Sequence, residues 1–291
     1  MTKRRREVGE NHYKKDVKHM KKFLAIILTV AMAAMLLAGC GSEKPTDAPV
    51  SSDEQTEAQK FIVGFDAEYP PFGYMDEKGE YVGFDLEIAA AVCEIEGWEL
   101  VKTPIDWDAK DQELNAKTID CIWSGFTING RENDYCWSNP YVDNSQVVVV
   151  KDDSIKTLAD LAGKVVGVQQ ASAAYDVFEG EEAEQEMKDL AATFAELQQF
   201  ADYNTAFAEL LAGSIDALAI DIGVAKYQVA SRGEGVILEE ALNSEQYGVG
   251  FRVGETEIRD TLNKDLKTLY DNGTITEIAK KYGVEDMVVA Q

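Results

Sequence analysis

The sequence predicts an α/β protein built from two lobes of one design, and three observations carry that prediction. From Lys60 onward, strand-like and helix-like segments alternate, as in sheets covered by helices. A ten-residue motif recurs 96 residues after its first copy. The strands that follow the two copies end on complementary chemistry, a glycine-threonine-arginine group in one and a carboxylate in the other.

Ahead of the folded region, "MKKFLAIILTVAMAAMLLAGC" (Met20 to Cys40) has two lysines, an apolar run from Phe23 to Ala38 and a small-residue site. That is a secretory signal peptide pattern, and its run of 16 residues falls short of the roughly 20 of a spanning helix. Residues 1–39 are read as the removed leader, with 1–19 upstream of the true start at Met20. "LAGC" (Leu37 to Cys40) resembles the lipobox of bacterial lipoproteins, which implies a lipidated Cys40 as the first mature residue and an extracytoplasmic, membrane-anchored protein. Residues 41–59, with Val50 as their one aliphatic residue, read as a solvated tether.

The leader holds 9 of the 28 Lys+Arg and 3 of the 53 Asp+Glu, leaving 19 against 50 and a net charge of −31. Such acidity argues against nucleic acid or an anionic membrane face as a partner. Both histidines, His12 and His19, also lie in the leader, which removes the commonest general base and metal ligand. Cys93, Cys121 and Cys136 fit neither a disulfide framework nor a zinc site. They read as buried small apolar residues, with a Cys121–Cys136 bridge as the alternative. No metal and no cofactor is expected.

In order, "KFIVGFD" reads as a strand and "GFDLEIAAAVCEIEG" as a helix, with Phe84, Ile88, Val92 and Ile95 on one face and Gly97 as its stop. "QVVVV" and "KVVGVQ" read as strands around a helix "SIKTLADLAG". Ile258, Leu262, Leu266 and Leu269 mark one late helix and "TITEIAKKYG" another. "EGEEAEQE" (Glu179 to Glu186) reads as a solvated face.

The repeat is "ELNAKTIDCI" (Glu113 to Ile122) against "ELLAGSIDAL" (Glu209 to Leu218), each a helix end, a turn and a buried strand. Five residues after Asp120 stands Gly125, opening "GFTINGR"; five after Asp216 stands Asp221. Ligands of open α/β sheets bind beyond the carboxyl ends of strands. There a guanidinium with exposed backbone N–H groups suits a carboxylate, and Asp221 suits an ammonium. A ligand carrying both charges is an α-amino acid. The competing reading leaves Arg131 and Asp221 as surface residues that never meet.

"FDAEYPPFGYMDEKGEYVGFDLEIAAAV", "IDCIWSGFTINGRENDYCWSNPY", "LADLAGKVVGVQQAS" and "IDALAID" stand in an order that resembles the polar amino-acid extracytoplasmic solute-binding proteins of ABC importers, over nearly the whole mature chain. The resemblance implies a type II periplasmic-binding-protein-like fold, with two sheet-centred lobes joined by two hinge crossovers that close on the ligand. It places 60–143 with 247–291 in lobe 1 and 144–246 in lobe 2. It also implies ABC permease and ATPase partners and a monomer.

By the same resemblance Arg131 clamps the α-carboxylate, and Thr127 gives its N–H to the carboxylate and its hydroxyl to the ammonium. Gly125 offers its carbonyl to the ammonium, Asp221 completes ammonium recognition, and Ser172 donates to the carboxylate from lobe 2. Asp66, Tyr69, Phe72 and Trp107 line the side-chain pocket, with Phe72 and Trp107 as stacking walls. Asp66 leans the choice toward basic or neutral polar amino acids over acidic ones. Two departures stand out: "TINGR" sets its arginine four residues after the threonine where the family usually has five, and Ala171 stands where glycine often precedes the Ser/Thr of lobe 2.

Two other classes compete. A cyclohexadienyl/arogenate dehydratase-like enzyme on the same fold would need Glu68 or Asp66 as its acid or base. A receptor's sensory domain would need a membrane helix and a signalling domain after the lobes, and the chain ends at Gln291 soon after its last expected helix.

Overall fold

Two sheets of matching strand order form the framework. The structure, a computed structural model, describes residues 58–291. The leader, Cys40 and nearly all of the tether lie outside the described residues. The first sheet begins with β1 (Lys60–Phe65), after which β2 (Glu68–Tyr69), β3 (Gly73–Met75) and β4 (Tyr81–Val82) make a small antiparallel sheet. Helix α1 (Phe84–Glu96), β5 (Glu99–Pro104), α2 (Lys110–Ala116), β6 (Cys121–Thr127), β7 (Cys136–Trp137) and β8 (Val142–Asn144) follow. The second sheet takes β9 (Gln146–Val150), β10 (Val165–Gln169), α3 (Ala173–Glu179), α4 (Gln185–Ala191), β11 (Glu196–Phe200), α5 (Tyr203–Ala212), β12 (Ala217–Asp221), α6 (Ile222–Arg232) and β13 (Val236–Ile237). The chain then returns to the first sheet through β14 (Glu245–Phe251) and ends in α7 (Thr256–Asp271) and α8 (Thr274–Tyr282).

Four strands run β5-β1-β6-β14 in one sheet and β11-β10-β12-β9 in the other. Three are parallel and the last is antiparallel in each. The recurring sequence motif explains why. Asp120 accepts the N–H of Ile62 at 2.7 Å, and Asp216 accepts that of Val165 at 2.8 Å. Each aspartate thus pins its neighbouring parallel strand one residue before their paired register begins, at Val63–Cys121 and Val166–Ala217. The motif's isoleucines, Ile119 and Ile215, pack against Gly64 and Gly167, where a Cβ would come within 2.4 and 2.6 Å of their Cδ1 atoms. One recipe has been used twice: aspartate to register the strand, isoleucine to fill the space over a glycine.

The two crossovers run side by side. Asn144 faces Glu245 in the β8–β14 ladder, Gln146 N–H donates to Asn243 Oδ1 at 2.8 Å, and Leu242 N–H donates to the Gln146 carbonyl at 2.8 Å.

Helix α1 ends at left-handed Gly97 as expected, and Phe84, Ile88 and Val92 are buried, but Ile95 is 44% exposed. "SIKTLADLAG" forms only a 3₁₀ turn, Leu158–Leu161, opened by a reciprocal Thr157–Asp160 capping box. Left-handed Gly163 follows two residues after it. Cys93 and Cys121 are buried and Cys136 half-buried, all three as free thiols. Among the described residues no helix is long and apolar enough to cross a membrane.

Candidate functional site

The carboxyl ends of β1, β6, β10 and β12 converge on one cleft between the sheets. Its walls are Asp66, Tyr69, Trp107, Ser124, Gly125, Thr127, Arg131, Gln169, Ser172, Ala173, Tyr203 and Asp221. The space between these atoms is about 280 Å³. The cleft is closed. Hydrogen bonds cross it from Trp107 Nε1 and Lys110 Nζ to the Ala171 carbonyl (3.2 and 3.3 Å), and Asn204 Nδ2 donates to Glu68 Oε2 at the rim.

At the end of β6 the backbone turns back on itself. Arg131 N–H donates to the Ile128 carbonyl at 2.9 Å, and Gly130 takes φ +78°, a positive φ that glycine takes without steric cost. Trp137 Nε1 holds the Arg131 carbonyl at 2.9 Å, and the guanidinium lies over the Phe126 ring, 5.4 Å from its centroid. This short turn is how an arginine four residues after Thr127 still reaches the cleft. Its Nη1 donates to the Thr127 carbonyl (3.4 Å) and its Nη2 to Asp176 Oδ2 across the cleft (2.6 Å).

Gly125 has φ +54°, and a Cβ there would lie 2.6 Å from Tyr69 Cε1, so both backbone and space require glycine. Its N–H donates to Asp85 Oδ2 at 2.6 Å, and Tyr141 donates to the other oxygen at 2.8 Å. Burial raises the Asp85 pKa to about 7 against those two donors.

Asp221 ends β12 and precedes α6. Three donors converge on its Oδ1: Asn144 Nδ2 (2.8 Å), Gln146 Nε2 (2.6 Å) and Tyr247 Oη (2.6 Å). Tyr247 spends its one proton there, so Tyr69, 3.0 Å away, donates to Tyr247. No hydrogen bond among the described residues reaches Asp221 Oδ2, which leaves that oxygen for a ligand. Thr127 Oγ1 shares a hydrogen bond with Glu245 Oε1 at 2.9 Å, and the hydroxyl keeps a lone pair to accept from an ammonium.

Asp66 lies on the opposite wall. It accepts Glu68 N–H at 2.8 Å and Gln169 Nε2 at 2.7 Å. Burial raises its pKa to about 6 despite the Gln169 bond. Trp107 stands edge-on to Phe126 (centroids 5.4 Å apart), and the Lys110 ammonium sits 5.1 Å from its ring centre. Burial, and then Arg131, lower the Lys110 pKa.

Eight of the nine expected ligand-binding residues line this cleft; Phe72 does not. Its N–H closes a turn on the Tyr69 carbonyl, and its ring packs behind Tyr69 against Tyr247, Phe84 and the bare backbone of Gly223. Phe72 is a backing for Tyr69 and not a stacking wall. Ser172 is present, but its hydroxyl donates to the Gln169 carbonyl (2.8 Å) and accepts Tyr175 N–H (3.1 Å), so only its backbone N–H is free to serve a carboxylate. Sequence reasoning missed Ser124, Gln169, Ala173 and Tyr203 on the walls, and Asp176, Asn144, Gln146 and Glu245 behind them. Gln169 was readable: it stands four residues after Val165, as Asp66 stands four after Ile62.

Comparison with known proteins agrees with this architecture. The family of bacterial extracellular solute-binding proteins, family 3, matches residues 61–285. The arginine-binding extracellular protein ArtP of Bacillus subtilis is 30% identical over 270 residues, 90% of this chain and 98% of that protein. The histidine-binding periplasmic protein of Salmonella typhimurium is 31% identical over 235 residues, 77% of this chain and 87% of the relative. A histidine-bound ABC uptake transporter substrate-binding protein from Streptococcus pneumoniae superposes with a TM-score of 0.74 at 34% identity, covering 79% of this chain and 94% of its own.

Proposed function

We propose that this chain, which belongs to the bacterial extracellular solute-binding proteins of family 3, captures a free polar amino acid in its cleft and hands it to an ABC importer. The observation that carries this reading is the placement of Arg131 and Asp221, ends of the two copies of one motif, on one closed cleft with Gly125 and Thr127 between them. The guanidinium and the Thr127 N–H receive the α-carboxylate. Asp221 Oδ2, Thr127 Oγ1 and the Gly125 carbonyl receive the ammonium. Asp66, Tyr69 and Trp107 face the side chain, and an aspartate among aromatics favours basic or neutral polar residues over acidic ones. The lobes move about the crossovers at 144–146 and 243–246. The "LAGC" leader end supports a lipid anchor at Cys40, and the family supports permease and ATPase partners.

A thermal-shift screen of residues 41–291 against each amino acid and cystine tests this. Ligand at 100 times its dissociation constant stabilises by about 2.7 kcal/mol, several degrees of melting temperature. A cooperative melt that no amino acid shifts would sink the reading. The relatives are binding proteins, and we read this chain likewise as a non-enzyme. Asp66, with its pKa near 6, is what a dehydratase would use as acid or base, so turnover of a prephenate- or arogenate-like compound would reverse that assignment.

A further inference from the structure

Behind the cleft the two crossovers meet on a pair of buried carboxylates. Glu245 and Asp221 are each 3% exposed. Asn144 Nδ2 donates to both, at 2.7 Å to Glu245 Oε1 and 2.8 Å to Asp221 Oδ1, and Gln146 Nε2 does the same at 2.8 and 2.6 Å. Both amides turn their N–H₂ ends to the acids, and their own oxygens, Asn144 Oδ1 and Gln146 Oε1, are buried without a hydrogen-bond partner. Glu245 also accepts from Thr127 Oγ1 at 2.9 Å and from Asn243 Nδ2 at 3.1 Å. The ionisable groups facing it are Asp221 before α6, Tyr247 on its own strand and Tyr203 from α5. Among the described residues no lysine or arginine pairs with either acid. Every donor supplied is neutral, and two negative charges share them.

We propose that Glu245 is the proton-exchanging partner of the ammonium site: it holds a proton while the closed cleft has no cation, and releases it when a primary ammonium docks on Asp221 and Thr127. The inference rests on the amino-acid reading given above. The charge balances. Before docking the pair is one carboxylate and one carboxylic acid; afterwards it is two carboxylates and one ammonium, and the Glu245 proton has passed to solvent, so the net charge stays at −1. Burial, followed by the charge of Asp221, raises the Glu245 pKa, in the direction this requires.

The contact with Thr127 links the exchange to recognition. At 2.9 Å it serves either polarity. A neutral Glu245 donates to Thr127 Oγ1 and occupies a lone pair, whereas an ionised Glu245 accepts from Thr127 and leaves both lone pairs to the ligand. Glu245 is therefore a positioning residue for ammonium capture.

Isothermal titration calorimetry tests this, using pairs of buffers matched in pH but differing in ionisation enthalpy, from pH 5 to 8. The probes are L-arginine, L-glutamine and the amino acid with the largest thermal shift, whose α-ammonium groups keep their charge across that range. Wild-type protein should release close to one proton per ligand at the acid end and none at the alkaline end, with affinity falling as pH falls. Glu245→Gln should abolish the release with L-glutamine, which brings no second cation to Asp66, while Glu245→Asp should restore part of it. Asp66→Asn should keep it with L-glutamine, which separates Glu245 from the other carboxyl in the cleft. Binding of L-glutamine without proton release in the wild type, or release with L-glutamine that survives in E245Q, would overturn the proposal and leave the amino-acid reading intact. If no amino acid binds, both fall together.

Discussion

Asp66 and Gln169 hold the same place in the two lobes, each four residues beyond the residue whose N–H a motif aspartate holds, and they hydrogen-bond to each other across the cleft at 2.7 Å. Asp66 ends one wall as an acid, Gln169 the other as an amide, so the lobes meet through a donor and an acceptor and not through two like charges.

That pairing gives the first prediction. Burial holds the Asp66 pKa at about 6 in the folded state, against 3.8 for an ordinary aspartate. A raised acid contributes stability that is complete below the unfolded value and lost as pH rises through the folded one. At about 1.4 kcal/mol per unit, the ligand-free protein loses up to about 3 kcal/mol at this site between pH 4 and 8. Asp66→Asn should flatten the fall by that order in urea titrations, with Asp85, Asp265 and Glu245, all raised by burial, contributing the remaining slope in the same direction. An unchanged slope in D66N would show that Asp66 is not among the titrating groups.

Gly125→Ala should both destabilise and disable. The new methyl meets the Tyr69 ring at 2.6 Å in a left-handed backbone, and overpacking of this kind costs about 1–3 kcal/mol. Displacing Tyr69 also disturbs its bond to Tyr247 and so the Tyr247–Asp221 contact. Calorimetry should find amino-acid binding weakened at least tenfold in protein that still melts cooperatively.

Ala171 sits at φ +52°, and its carbonyl receives both Trp107 and Lys110 from the other lobe. A left-handed non-glycine residue costs roughly 1–2 kcal/mol, against roughly 0.5–1 kcal/mol for the freedom a glycine loses on folding. Ala171→Gly should therefore stabilise by about 0.5–1 kcal/mol, read by chemical denaturation. The conformation supplies a physical reason for glycine before the Ser/Thr in the resembled pattern. A destabilised A171G would show that the strain is not there.

The Arg131–Asp176 pair is unequal, with side chains 11% and 46% exposed. Half-exposed ion pairs contribute about 0–1 kcal/mol, so Asp176→Asn should move stability by no more than that and binding by less than tenfold. Loss of binding in D176N would make Asp176 part of the clamp.

Sequence reading reached the parts of this molecule that repeat or that carry rare chemistry. The motif aspartates, Gly125, Arg131 and Asp221 stood out because one pattern occurs twice and ends differently. Strands β5 and β11 did not. "ELVKTP" and "ELQQF" are edge strands whose residues are half-buried or exposed, so their polar composition hides them. Phe72 was misplaced because the turn after Tyr69 directs its ring to the core, a rotation that no spacing reveals. Glu245, Asn144 and Gln146 escaped because they act only where the two crossovers, a hundred residues apart in sequence, lie side by side. "SIKTLADLAG" shortens to the 3₁₀ turn at Leu158–Leu161 because its capping box and Gly163 leave room for one turn only.

The most direct test of the clamp is calorimetric titration of the amino acid that most stabilises the wild type, repeated on Arg131→Ala and Asp221→Ala. With the cleft closed, each substitution leaves one ligand charge buried and unpaired, at a cost of roughly 3–5 kcal/mol. That is about two to four orders of magnitude in affinity for either variant, in proteins that remain folded without ligand. Binding that survives either substitution within tenfold would contradict a clamp built from these two residues.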